Sequence, residues 1–269
     1  MTAADSTSGA PHPTTRRANR ARPASRSRRL ALIATLVALA AACTPVALPP
    51  TSTTVPPGPP AEVSMEWWAM GDSLFAGYDK HRAAPSYLDG VENFAIPGHT
   101  LLQVELLGEP QTTVREQIEA AVELHGAPEH MVIHAGVADL VGRGLWGFDH
   151  GSDELAAEIA SLDEWLRGLG VDVWWTTLAP FTFWSIPGLG GQGELRLWLN
   201  DWLHEHVGDR LIDCEEALIG FGGVYADAQY LLEDDGIHVN SWGARRHARC
   251  ISEQLAEQGY DLPVLTEPR

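Results

Sequence analysis

The chain is poor in cysteine, poor in positive charge beyond its first forty residues, and without an apolar run long enough to span a bilayer. Three cysteines in 269 residues (Cys43, Cys214, Cys250) exclude a disulfide-dense scaffold. The fold must therefore rest on a hydrophobic core, and an apolar fraction of 45% suffices for one ordinary domain or two small ones. Seven of the 18 basic residues are arginines within residues 1–42, where Asp5 is the only acid; from residue 43 onward, 11 basic residues face 35 acidic ones, a net charge of about −24. Such a surface repels a phosphate backbone and argues against nucleic acid as a partner. Its ordinary consequence is solubility. No internal repeat is visible, so a solenoid is not indicated. Metal chemistry also lacks its ligands: His204-Glu205-His206 places two imidazoles on different sides of a helix, with no third ligand in view. No metal and no cofactor is expected.

The amino terminus carries a different signal. Arg16, Arg17, Arg20, Arg22, Arg26, Arg28 and Arg29 lead into the apolar run Leu30 to Ala42, 13 residues against the ~20 of a spanning helix, which reads as an export signal. Ala40-Ala41-Ala42-Cys43 resembles a bacterial lipoprotein processing box, with Ala40 where that box usually has Leu; the resemblance implies lipidation of Cys43. Ser27-Arg28-Arg29-Leu30 is similar to a twin-arginine signal, but Ala31 stands where an aromatic is expected, so the export route stays open. The division expected is a signal peptide over 1–42, a Pro/Thr-rich linker over 43–62 (Pro49-Pro50, Pro56-Pro57, Pro59-Pro60) that cannot collapse into a core, and one domain over 63–269. The protein is expected outside the cytoplasm, anchored to the membrane through Cys43 or free.

Within that domain, apolar runs and periodic segments alternate. Val63–Met70 reads as strand one and Val91–Ile96 as strand two, followed by a turn at Pro97-Gly98-His99-Thr100 and a helix near Leu101–Leu107. Thr112–His125 has helical spacing, Met131–Ala135 is strand three, and Ser152 reads as the N-cap of a helix ending near Leu169. Val171–Leu178 is strand four and Leu211–Asp213 a short strand five, with a helix over Leu195–His206 between them. Ser241–Gln258 closes the chain as a helix whose inner face is Trp242, Ala244, Ala248, Ile251 and Leu255. Strands alternating with helices imply a parallel sheet of about five strands covered on both faces, a flavodoxin-like three-layer α/β/α sandwich. Cys214 and Cys250 are compatible with one disulfide and with two buried thiols. Packing of the closing helix beside the last strand would bring them together.

Chemistry concentrates where strands end. Trp67-Trp68-Ala69-Met70-Gly71-Asp72-Ser73-Leu74 is an apolar strand that stops at a glycine and hands a serine to the following turn. A nucleophilic serine needs that exposure, with the free N–H groups of the next helix facing developing negative charge. Gly-Asp-Ser alone is also ordinary turn chemistry. Asp235-Gly236-Ile237-His238 sets a carboxylate three residues before an imidazole, an orienter-and-base pattern. Trp146, Phe181, Phe183 and Trp184 fall in loops on the same face and are candidates to line an acyl or sugar pocket, or simply to pack beneath the loops. Trp67, Trp68, Trp174 and Trp175 read as strand packing.

Taken in order, Gly71-Asp72-Ser73-Leu74, Gly98, Gly136-Val137-Ala138-Asp139 and Asp235-Gly236-Ile237-His238-Val239-Asn240 resemble the four blocks of the SGNH or GDSL hydrolase family, over essentially the whole domain. The resemblance implies Ser73 as nucleophile, His238 as general base, Asp235 as its orienter, and the N–H groups of Ser73 and Gly98 as oxyanion donors. It departs in the third block, where the family's Gly-x-Asn-Asp supplies an Asn side chain to the oxyanion and Ala138 stands here instead. The implied activity is hydrolysis of an O-acyl ester, whether lipid, aryl or acylated glycan, through an acyl-enzyme. Two alternatives remain open: an inactive or weakly active cell-surface glycan-binding protein, and an O-acyltransferase.

Overall fold

The computed structural model describes residues 63–78, 81–181, 192–219, 228–232 and 236–269. The expected export segment, Cys43 and its linker, and also Phe183, Trp184 and Asp235, lie outside the described residues.

Five parallel strands form the central sheet. They are β1 (Trp67–Gly71), β2 (Val91–Asn93), β5 (His130–His134), β6 (Asp172–Thr176) and β7 (Leu211–Ile212), in spatial order β2-β1-β5-β6-β7. All five residues of β1 are buried, as a strand covered on both faces requires, so its apolar residues run without alternation. The remaining strands, β3 (Glu105–Leu106) and β4 (Glu109–Pro110), form a separate hairpin. With that hairpin set aside, the sheet has the flavodoxin-like order. The chain leaves β1 outward to β2 and then crosses back to β5, which creates a switch point at the carboxyl ends of β1 and β5.

Helices cover both faces: α1 (Ser73–Ala76), α2 (Val114–His125), α3 (Val137–Trp146), α4 (Ser152–Gly168), α5 (Gln192–Val207), α6 (Glu215–Leu218) and α7 (Ser241–Glu257). Thr113 starts α2, its hydroxyl accepting from the Glu116 N–H while the Glu116 carboxylate takes the Thr113 N–H at 2.8 Å, a reciprocal cap. In α4, Leu155, Ile159, Leu162 and Leu166 recur at three- and four-residue steps and are buried. Each contributes about 2 kcal/mol of burial, and Leu162→Ala would cost about 3 kcal/mol through the cavity it leaves. The helices α3 and α4 both pack on α5, whereas α1 and α7 gather around the turn at 84–87.

Several local expectations are corrected. Residues 101–107 form no helix: Leu107 (φ 57°) and Gly108 (φ 84°) adopt the left-handed pair of a two-residue hairpin turn, which reverses the chain where the apolar spacing suggested a helix to continue. Strands one and two are shorter than their apolar runs. Ser152 is the first helical residue, and the cap is Gly151, whose N–H is taken by the Glu154 carboxylate at 2.6 Å. Trp146, expected in a loop, ends the helix α3. Trp242 is 77% exposed, because α7 turns Ala244, His247, Ala248, Ile251 and Leu255 inward and Trp242 falls outside that stripe. The four strand tryptophans are buried, and Cys214 and Cys250 form a disulfide with their Cα atoms 5.8 Å apart.

Candidate active site

Gly71 closes β1 with φ 135°, and a Cβ there would lie 1.9 Å from the His134 carbonyl oxygen; no other residue type fits. Its peptide is clasped by Gln117, which accepts the Gly71 N–H at 3.2 Å and donates to the Gly71 oxygen at 3.3 Å. The same oxygen accepts from the Ile96 N–H at 3.1 Å. This bond brings the segment leading to Gly98 against the end of β1.

Asp72 follows, with no solvent exposure. Its carboxylate accepts the Leu74 N–H at 3.0 Å, the Val137 N–H at 3.2 Å and the Ala138 N–H at 3.4 Å. It therefore caps α1 and α3 together, and the positive ends of two helices compensate its buried charge. The His134 Nδ1 lies 3.5 Å from it. Because His134 Nε2 accepts the Ala179 N–H at 3.3 Å, the ring proton sits on Nδ1, facing Asp72.

Ser73 is the first residue of α1, and its hydroxyl stands 2.8 Å from His238 Nε2 across 165 residues of sequence. The Tyr78 ring stacks on the His238 imidazole at 4.2 Å and 8°, fixing its plane. The backbone N–H groups of Ser73 and of Gly98, the latter at φ 81°, have no acceptor among the described residues. Ala138, at the second position of α3, sets a half-buried methyl group there. The structure thus brings Ser73, His238 and the Ala138 position to the switch point, where an imidazole stands within reach of a hydroxyl proton. Asp235 lies outside the described residues.

Two buried polar groups, Asp139 and His247, stand beside the site without a role predicted from sequence. Asp139 accepts the Leu101 N–H at 2.8 Å and the Leu102 N–H at 3.2 Å, pinning the segment after Gly98 to α3; burial raises its carboxyl to about 7, with those two bonds opposing and Asp72 adding to the rise. His247 of α7 is buried without a hydrogen bond at either ring nitrogen among the described residues, and burial, then nearby His134, lowers it to about 3. Phe75 packs between these two histidines, 5.3 Å from His134 and 5.7 Å from His247. The signal for Asp139 was present, since it stands beside Ala138 in the third block. His247 was hidden, because an inward histidine on a helix looks like any surface one. Trp146 and Phe148 line a cavity of about 710 Å³ with Leu102 and Val104, rimmed by Glu105 and Glu154. Phe181 is buried in the core.

No protein-family profile matches the chain, and no curated protein does. Solved structures do. A GDSL-like lipase from Bacteroides thetaiotaomicron aligns over 73% of this chain and 89% of its own at 16% identity and TM-score 0.54. The aryl esterase of M. smegmatis aligns over 72% and 99% at 16% identity and TM-score 0.51. A carbohydrate acetylesterase family member from Sinorhizobium meliloti aligns over 71% and 97% at 14% identity and TM-score 0.54. The chain has the fold of the SGNH/GDSL acylhydrolases and lipases.

Proposed function

We propose that the protein is a serine esterase acting on O-acyl esters. The observation that carries this reading is the 2.8 Å contact between Ser73 Oγ and His238 Nε2 at the amino end of a helix and at the switch point of the sheet. His238 removes the Ser73 proton as Oγ attacks the ester carbonyl, and the unpaired N–H groups of Ser73 and Gly98 receive the oxyanion. Collapse of the tetrahedral adduct expels the alcohol, protonated by His238, and leaves an acyl-Ser73 that water hydrolyses by the same steps in reverse. Asp235 is assigned as the group that orients His238, on the sequence pattern alone. The aligned lipase and esterases support ester chemistry without naming a substrate for this chain. Treatment with a fluorophosphonate and a p-nitrophenyl acetate assay test the proposal: the parent is labelled at Ser73 and turns over, and Ser73→Ala does neither. Near-parent turnover by Ser73→Ala would end it. We further propose that Cys43 carries a lipid anchor. Membrane fractionation of Cys43→Ser tests this, and an unchanged membrane-bound fraction would refute it.

A further inference from the structure

The outward stripe of α7 carries Trp242, Arg245, Arg246 and Arg249, the i, i+3, i+4 and i+7 positions of one helix face. With Tyr230 and Ser241 they line a groove of about 430 Å³. In a chain of net charge −18 this cluster stands apart. Arg115, Arg167, Arg196, Arg210 and Arg269 each hold a carboxylate, while none of the groove arginines has an ion-pair partner among the described residues. Arg245 donates to the Thr266 carbonyl oxygen and lies over the Tyr87 ring at 5.6 Å. Arg246 donates through Nε to the Ala217 oxygen at 2.9 Å, and its terminal nitrogens have no partner among the described residues. Arg249 makes no hydrogen bond among the described residues. Like charges at i and i+4, as at Arg245 and Arg249, destabilise a helix that has nothing to neutralise them. Trp242 adds an indole 77% exposed to water.

The groove wall is built rather than accidental. Asn240, two residues beyond His238, caps α7 and donates its side-chain amide to the Gln229 oxygen at 2.7 Å and the Leu231 oxygen at 3.0 Å, while its N–H goes to the Tyr230 oxygen at 2.9 Å. Gly243 lets the Tyr230 backbone approach, since a Cβ there would lie 2.3 Å from the Tyr230 oxygen. Tyr230, its backbone oxygen held by Asn240, and the exposed Trp242 therefore line the groove beside three guanidinium groups.

We propose that this groove binds a uronic acid unit of a short anionic glycan, at a site separate from the Ser73–His238 pair. Aromatic faces take the C–H side of a pyranose ring, and guanidinium forks take a carboxylate through paired hydrogen bonds. A concave groove suits a ring better than a flat bilayer, and the acidic remainder of the surface repels both an anionic membrane and a long polyanion.

Calorimetric titration of the whole protein with trigalacturonic acid and with its methyl ester tests the proposal. The acid is expected to bind, and binding to weaken at least about tenfold on methyl esterification, in the double variant Arg246→Gln/Arg249→Gln, and in Trp242→Ala. These side chains are exposed, so an unchanged Tm in the variants verifies that the fold survives. The proposal is overturned if the acid gives no heat, if acid and ester bind alike, or if the arginine variant binds as the parent does. It is also overturned if phosphatidylglycerol vesicles, and not trigalacturonate, bind in an arginine-dependent way. The titrations are run in the Ser73→Ala background, because the methyl ester is itself a carboxylic ester open to attack by Ser73; failure here leaves the esterase reading standing.

Discussion

Asp72 and Val137 are 65 residues apart in sequence, yet the carboxylate of one accepts the N–H of the other at 3.2 Å. With its bonds to Leu74 and Ala138, Asp72 ties the helix that begins at Ser73 to the helix that carries the divergent Ala138. Substitution by Asn keeps the volume but replaces one acceptor oxygen with a donor, leaving a buried N–H unpaired and two helix ends uncompensated. Asp72→Asn is expected to lose about 3 kcal/mol of stability in urea denaturation and to lower kcat with it, because Ser73 and its N–H share the clasp. A variant within 0.5 kcal/mol of the parent, on the ~1 kcal/mol scale of a single hydrogen bond, would show that Asp72 is not the tie.

The layers of this fold were legible because buried parallel strands announce themselves as short apolar runs: Trp67–Met70 and Met131–Ile133 needed no partner to be read. The serine, the histidine and the disulfide were legible for different reasons. Ser73 follows a strand that ends in an obligatory glycine, His238 lies in a short acidic-glycine turn, and Cys214 and Cys250 were the remaining cysteines once Cys43 was set aside as the expected lipidation site. What escaped depends on geometry that spacing does not encode. The hairpin tip at Leu107-Gly108 rests on backbone sign, the double capping by Asp72 on a contact 65 residues long, and the outward Trp242 on helix phase, which one aromatic at a helix start does not define.

The two strongest titration shifts oppose each other. The Asp139 carboxyl is raised from its ordinary 3.8 to about 7, so its contribution is fully present below about pH 4 and is lost as pH rises through 7. The imidazole of His247 is lowered from its ordinary 6.5 to about 3; its contribution is present above about pH 6.5 and is lost as pH falls through 3. Each spans about 4 kcal/mol, so between pH 4 and 6.5 the two slopes nearly cancel. His99 and His150, which burial also lowers, add smaller slopes of the same sign as that of His247, so the parent's urea midpoint should rise only gently with pH there. His247→Leu should leave stability falling with rising pH, and Asp139→Asn should leave it rising. If both variants keep the parent's profile, neither group titrates as its burial demands.

The Cys214–Cys250 bond closes a loop of 36 residues that contains His238. The chain-entropy account gives about 4 kcal/mol for a loop of that size. Cys214→Ser/Cys250→Ser should unfold at a correspondingly lower urea concentration than the oxidised parent. It should match the parent treated with reductant. A double variant as stable as the oxidised parent would show that the crosslink constrains nothing the fold does not already hold.

Ala138 is where the chain departs from the pattern it otherwise follows. An oxyanion hole acts through donors fixed before charge develops, and loss of one such donor lowers the rate ~100- to 1000-fold, about 3 kcal/mol of transition-state stabilisation. Here Asp72 already engages the Ala138 N–H, which holds the start of α3 in place, and the half-buried methyl leaves room for a longer side chain. Ala138→Asn is therefore expected to raise kcat on p-nitrophenyl acetate at least about tenfold with little change in KM, a discount from the full range because the new amide enters a pocket shaped around a methyl group. The gain should vanish when Ser73→Ala is added, which separates it from nonspecific hydrolysis. An unchanged kcat in Ala138→Asn, with Ser73→Ala still inactive, would mean that the N–H groups of Ser73 and Gly98 already stabilise the oxyanion in full, and that the asparagine of the related pattern is dispensable in this site.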